Sequence, residues 1–170
     1  MDLDKYIRNI PDFPRKGVIF RDITPLLQDP IALNETKNSL IRLLKDIEVD
    51  KVVGMESRGF FFAPMLAVHL NAGFVPVRKP GKLPFSTINE AYGLEYGHDV
   101  LEMHSDAIVE GDKVLVHDDV LATGGTASAV CKIVERLGGE VVLCNFLLEI
   151  GSLSGREMLK GYPVTSLLHY

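Results

Sequence analysis

An α/β fold, with a mostly parallel twisted sheet and helices on both faces, is the class that the sequence predicts. Apolar, β-prone segments alternate along the chain with segments of helical apolar spacing, as parallel strands joined by crossover helices require. The run Val114-Leu-Val-His-Asp-Asp-Val-Leu-Ala-Thr-Gly-Gly-Thr126 shows one such unit in full, an apolar strand, a glycine turn and a helix start. The length of 170 residues suits one domain over 1–170, large enough to bury roughly two-thirds of its unfolded surface.

Taken in order, Leu3 to Asn9 reads as a short helix, and Pro11 to Pro25 as a structured loop too rich in proline and glycine to be regular. Asp29-Pro30 supplies an N-cap followed by proline at the first helical position. Leu33, Leu40, Leu43, Leu44 and Ile47 then carry a helix that ends near Lys45 to Glu48. Strands are predicted at Lys51 to Met55, Phe74 to Val77, Asp99 to His104, Lys113 to His117 and Glu140 to Ile150. A helix near Phe60 to Leu70 and a turn at Asn71 to Gly73 fill the first interval, and Ala127, Val130, Val134 and Leu137 mark the helix that starts at Gly125. Between Pro84 and His104 short β-prone pieces, Gly93, Gly97 and alternating Leu101 and Met103 predict a flexible, hairpin-like β flap over the sheet, about 84–104.

Composition excludes several classes. Hydrophobic content of 46% with 24% charged residues is that of a soluble globular chain, and a net charge of -5 opposes a general nucleic-acid or membrane-surface binder. The uncharged run from Gly59 to Val77 is about long enough to span a bilayer, but Pro64, His69, Asn71, Gly73 and Pro76 divide it. Asp2 and Asp4 open the chain where a secretory signal would be basic, so a cytoplasmic location is expected. Cys131 and Cys144 fall within apolar patterns and read as buried free thiols. The five histidines stand singly, without zinc spacing.

The chemistry concentrates in four places. At Ala122-Thr-Gly-Gly-Thr126, unpaired backbone N–H groups at a helix N-terminus suit a phosphate, and glycine lets the backbone approach it; Thr123 and Thr126 add hydroxyls. Asp118 and Asp119, acceptor-only carboxylates, suit sugar hydroxyls or the water shell of Mg2+. An ordinary strand–turn–helix with surface acids fits these residues too. Glu56-Ser57-Arg58-Gly59 repeats the strand–loop–helix logic as a second anion cradle, although Arg58 alone also fits a helix-start arginine paired with an acid. The glycines of Gly54 to Gly59 have P-loop spacing, but Phe60 stands where lysine is required. Arg78, Lys79 and Lys82 gather at a further strand end, either for an anion or as a solvated loop. In Gly17 to Pro25, Phe20 offers a face for a flat heterocycle, or belongs to the core beside an exposed Arg21.

The run Asp118 to Thr126 resembles the phosphoribosyl pyrophosphate (PRPP) signature of the type I phosphoribosyltransferases. With Ile10-Pro-Asp-Phe-Pro14, Gly17 to Pro25, Glu56 to Gly59, Val77 to Pro84 and Leu94-Glu-Tyr-Gly97, the chain resembles the adenine branch of that family from end to end. The resemblance implies transfer of a phosphoribosyl group from PRPP to adenine, giving AMP and pyrophosphate in purine salvage, with Mg2+ as cofactor and a homodimer as the assembly. It implies a small hood from the N-terminal segment, about 1–28, with Ile19, Phe20 and Arg21 at adenine. By the same resemblance Ser57, Arg58, Tyr96, Asp118, Asp119 and the residues Ala122, Thr123, Gly124, Gly125 and Thr126 bind PRPP and AMP. Arg58, Arg78, Lys79 and Lys82 serve pyrophosphate, Asp118 and Asp119 hold the metal through water, and Glu95 and Arg58 are catalytic, Glu95 on the base. The loop at Ser57 is also implied to hold a strained peptide bond.

Three positions depart from the family pattern. His117 replaces the usual aliphatic residue and reads as a strand residue instead of a catalyst, Ala63 replaces a common glycine, and Phe85 stands where a polar or basic residue is frequent. Two competing readings are a non-catalytic PRPP-responsive regulator and transfer to another base such as hypoxanthine, guanine or orotate. The first lacks a basic stripe or an added DNA-binding segment.

Overall fold

The computed structural model describes residues 1–94 and 97–170, with only the backbone of 94, 97 and 98. A short 3-10 turn at Leu3–Tyr6 leads into β1 (Arg8–Pro11) and β2 (Ile19–Asp22), then α1 (Thr24–Gln28), α2 (Pro30–Leu43) and β3 (Lys51–Met55). After a 3-10 turn at Arg58–Phe61 come α3 (Ala63–Leu70), β4 (Gly73–Val77), β5 (Thr87–Leu94) and β6 (Gly97–His104). The chain closes with β7 (Lys113–Leu121), α4 (Gly125–Arg136), β8 (Glu140–Glu149), α5 (Gly155–Met158) and β9 (Val164–His169).

The central sheet has the order β4-β3-β7-β8-β9, and all four of its pairings are parallel. Along β3 and β7 successive residues such as Val52 and Val53, or Leu115 and Val116, enter opposite cores. Val53, Val75, Val114, Val116 and Phe146 pack under α4 with Leu101 and Met103 of β6, while Val52, Leu115, Leu143 and Leu147 pack under the first three helices. Burial on both faces explains why these strands read as continuous apolar runs. The flap is an antiparallel pair, β5 with β6, joined to the main sheet by a bridge between Arg78 and Glu102. Cys131 and Cys144 are buried and free, as expected. No helix among the described residues is long and apolar enough to cross a membrane.

Several elements differ from expectation. The predicted helix at Leu3 to Asn9 is one 3-10 turn followed by β1, and the Pro11 to Pro25 loop contains β2 and the start of α1. The hairpin closes locally, since Asp12 Oδ1 accepts from the Gly17 amide at 2.7 Å and the Phe13 amide bonds the Val18 carbonyl. Asp29 caps α2 as predicted, accepting from the Ile31 and Ala32 amides, but the helix ends at Leu43 because Leu44 leaves helical geometry and Asp46 turns to φ 64°. β7 continues past His117 through both acids, drawn on by β8, which stays in register with it to Leu121 and Glu149. β9 is an edge strand that the sequence analysis does not anticipate.

Candidate active site

Three predicted loops leave three neighbouring strands at the same edge of the sheet. Residues 78–84 follow β4, 56–59 follow β3 and 122–126 follow β7, so the order β4-β3-β7 sets them side by side at the C-terminal ends, where parallel sheets hold ligands.

The turn after β7 is shaped by Gly124, which sits at φ 82° as the N-cap of α4. The first N–H groups of α4 have no intrahelical acceptor, and a small cavity of about 60 Å³ lies beside them, lined by Asp118, Val120, Ala122, Thr123, Gly124 and Thr126 among others. A larger cavity of about 210 Å³ lies along β4 between Lys51, Phe74 and His104. None of the predicted ligands among the described residues lines it, so the smaller cavity, with its donors and acids, marks the site.

Asp118 and Asp119 sit in the second half of β7. Asp119 is 3% exposed, and Arg58 Nε lies 2.9 Å from its Oδ2. That oxygen makes no aligned hydrogen bond, so a buried acceptor remains unsatisfied. Gly59 makes the approach possible, since a Cβ there would lie 3.0 Å from both Asp118 Oδ1 and the His117 carbonyl oxygen. Burial raises the pKa of Asp118 well above the carboxylate range, and the charge of Asp119 adds to this. Burial raises Asp119 too, against the pull of Arg58. Ser57 is exposed, and the Glu56–Ser57 peptide is cis.

Glu56 is the hub of the cationic loop, a role that the sequence analysis misses. Its carboxylate lies 3.3 Å from Arg78 Nε, accepts from the Lys79 amide at 2.8 Å and pairs with Lys82 Nζ. Burial acts to raise its pKa, but Lys82, the Lys79 amide and Arg78 outweigh it and hold the group below the ordinary range. Lys79 turns instead to the flap, where Asp99 Oδ2 lies 2.9 Å away and the Tyr92 ring centre 5.8 Å away. Tyr92 packs on Gly125, where a Cβ would come 3.3 Å from its ring. A signal for Glu56 was present, an acid at a strand end beside three predicted cations. Asp99 and Tyr92 become neighbours only through the cross-strand register of the flap.

On the hood side, Phe20 lies under the Arg58 guanidinium, 5.0 Å from ring centre to carbon, with Phe13 edge-on to it at 5.2 Å. Ile19 is exposed. The Arg21 side chain bonds Asn9 and stacks 4.1 Å over the Tyr170 ring, so its guanidinium is engaged in holding the hood. Glu95 and Tyr96 lie outside the described residues. His117 is buried in β7 with Nδ1 2.9 Å from Asn145 Oδ1. Asn145 Nδ2 donates to Thr165, which assigns its oxygen as acceptor and puts the imidazole proton on Nδ1. Burial pushes the His117 pKa down to about 4, so the ring is neutral at physiological pH.

The Phosphoribosyl transferase domain family matches residues 24–166. The adenine phosphoribosyltransferase of Christiangramia forsetii is 61% identical over 170 residues, covering 100% of this chain and 99% of that protein. The chain belongs to the adenine phosphoribosyltransferases. Among solved members of that family, the crystal structure from Thermoanaerobacter pseudethanolicus superposes with a TM-score of 0.97 at 49% identity, covering 99% of this chain and 98% of that one. The Saccharomyces cerevisiae adenine phosphoribosyltransferase, 38% identical, superposes at 0.92 over 98% of this chain and 97% of its own. That yeast enzyme was crystallised with an imino-altritol bisphosphate and adenine.

Proposed function

We propose that this site transfers the 5-phosphoribosyl group of PRPP to adenine, releasing pyrophosphate and forming AMP. The observation that carries the reading is the row of three loops on adjacent strand ends, with paired acids on β7 at one end of the row, one of them bound by Arg58 of the middle loop, and the Phe20 ring beside that arginine. A 5′-phosphate sits at the Ala122 to Thr126 turn, pyrophosphate among Arg58, Arg78, Lys79 and Lys82, and the ribose hydroxyls over Asp118 and Asp119. Ser57 and Tyr96 complete the PRPP contacts. Phe20 stacks on adenine, with Ile19 and the Arg21 backbone beside it.

The residues contribute by orientation and charge. Holding both reactants in line, and placing cations where the leaving group gains charge, each supply on the order of several kcal/mol. Glu95 manages the proton of the base as N9 attacks the anomeric carbon. Mg2+ fits Asp118 and Asp119 through water, because Asp119 Oδ2 is a buried acceptor without a hydrogen bond and such ions keep several waters. An ion held by Asp118 and Asp119 would supply charge neutralisation to the pyrophosphate leaving group. Phe61, Met65, Val68 and Phe74 expose apolar surface on and beside α3, which supports a homodimer. A net charge of -5 supports small-molecule partners over nucleic acid, and a cytoplasmic enzyme is the matching location.

The test is a Mg2+-dependent assay of purified protein with PRPP and adenine, hypoxanthine, guanine or orotate, following nucleotide and pyrophosphate. Adenine alone is expected to give rapid turnover, and no AMP from adenine defeats the reading. In the same assay Glu95→Gln lowers kcat more than PRPP affinity; an unchanged kcat removes Glu95 from the base.

A further inference from the structure

We propose that Arg156, acting through Glu149 and Gly155, positions the Ala122 to Thr126 turn for the ribose 5′-phosphate. The inference rests on the reading of that turn as the phosphate end of the PRPP site.

The turn and the start of α5 are pressed together backbone against backbone. A Cβ on Gly124 would lie 2.4 Å from the Gly155 carbonyl oxygen, and one on Gly155 would lie 2.3 Å from the Ala122 carbonyl oxygen. Neither residue can carry a side chain unless one backbone moves. Where Gly155 sits therefore decides where the turn sits.

Arg156 fixes Gly155. Its Nε and Nη2 donate to the two carboxylate oxygens of Glu149, each at 2.8 Å, and Nη1 donates to the Val164 carbonyl at 3.1 Å. A two-point fork of this kind sets orientation as well as distance. Glu149 is the last residue of β8, buried, and pairs in register with Leu121, from which the turn departs. Its carboxylate also accepts from Ser166 Oγ at 2.8 Å, with His169 Nδ1 at 3.6 Å. A circuit closes, from Leu121 through the turn to Gly155, through the Arg156 fork to Glu149, and back across the sheet to Leu121. Arg156 does not line the phosphate cavity, so its influence is indirect and it is a positioning residue.

The test is steady-state kinetics of Arg156→Ala and Arg156→Lys with Mg2+, PRPP and adenine, well below each protein's melting temperature. For Arg156→Ala the KM for PRPP is expected to rise about tenfold, since small misplacements of binding groups carry large effects, while kcat and the KM for adenine change less than about twofold. Arg156→Lys keeps the charge without the fork and is expected to rise by an intermediate factor. A merely structural role would lower the melting temperature and leave the KM for PRPP in place, and that result overturns the inference. If Arg156→Ala does not fold, Arg156→Lys decides alone: a raised KM for PRPP supports the inference and an unchanged one overturns it. Wild-type protein that makes no AMP defeats the reading of the site and the inference with it. An active wild type with unshifted variants defeats the inference only.

Discussion

At residue scale, His117 shows how one buried side chain couples stability to pH. Its pKa is about 4 in the folded protein against an ordinary 6.5, because burial disfavours the imidazolium. Between those values the unfolded chain takes up a proton that the native state refuses. Stability from this group is thus present above pH 6.5 and lost as the pH falls toward 4. Between pH 7 and pH 4.5 the loss is about 2 kcal/mol, from 1.36 kcal/mol per unit. His117→Leu, an apolar replacement at this buried strand position, is expected to lack that component. Denaturant unfolding of both proteins at the two pH values checks it, and parallel losses would refute the assignment. The same residue was legible in sequence as part of an apolar strand, but its partner Asn145 was not, because only the β7–β8 register brings the two together. Arg21 is a similar case. Its place in the hood segment was legible, whereas the direction of its guanidinium depends on Tyr170 at the far end of the chain.

At the scale of elements, the flap and the cationic loop are linked before any ligand arrives. Asp99 on β6 holds Lys79, and both side chains are more than a third exposed, so solvent screening keeps the pair weak. Asp99→Asn frees Lys79 and is expected to tighten inhibition by pyrophosphate about twofold to threefold, the range of an exposed pair. A pyrophosphate inhibition constant that stays the same or weakens would show that Lys79 does not reach the anion. Elements with a strong period or a cap were legible: β3, whose bounds match, α2 from its Asp29 start, and the flap from its glycines and alternation. β9 was not, since all but its last residue are half-buried and Val164 to His169 shows neither an unbroken apolar run nor strict alternation. β2 was hidden by the prolines and glycine around it, which close the hairpin without entering the middle of a ladder. The end of β7 was masked in the same way, because adjacent acids look like a loop until β8 pairs beside them.

At the scale of the whole molecule, the apolar face of α3 sets the expected assembly. Phe61, Met65 and Val68 recur at helical spacing, and Val68 is 83% exposed. Sedimentation of the wild type is expected to give twice the monomer mass, and Val68→Asp, harmless to an isolated subunit at so exposed a position, is expected to give monomers. A wild-type monomer, or a variant that remains dimeric, would contradict the use of this face. The sheet order that gathers the three loops also sets Arg58 against Asp119 and Arg78 and Lys82 against Glu56, while the flap brings Asp99 to Lys79. An arriving anion therefore exchanges partners instead of meeting bare cations. Sulfate or free phosphate, reaching one cation at a time, breaks a carboxylate contact for each one it makes. On the proposed reading, a ligand that spans the row and brings its own divalent ion to the released carboxylates would recover what it displaces, and the resting site would discriminate against small anions.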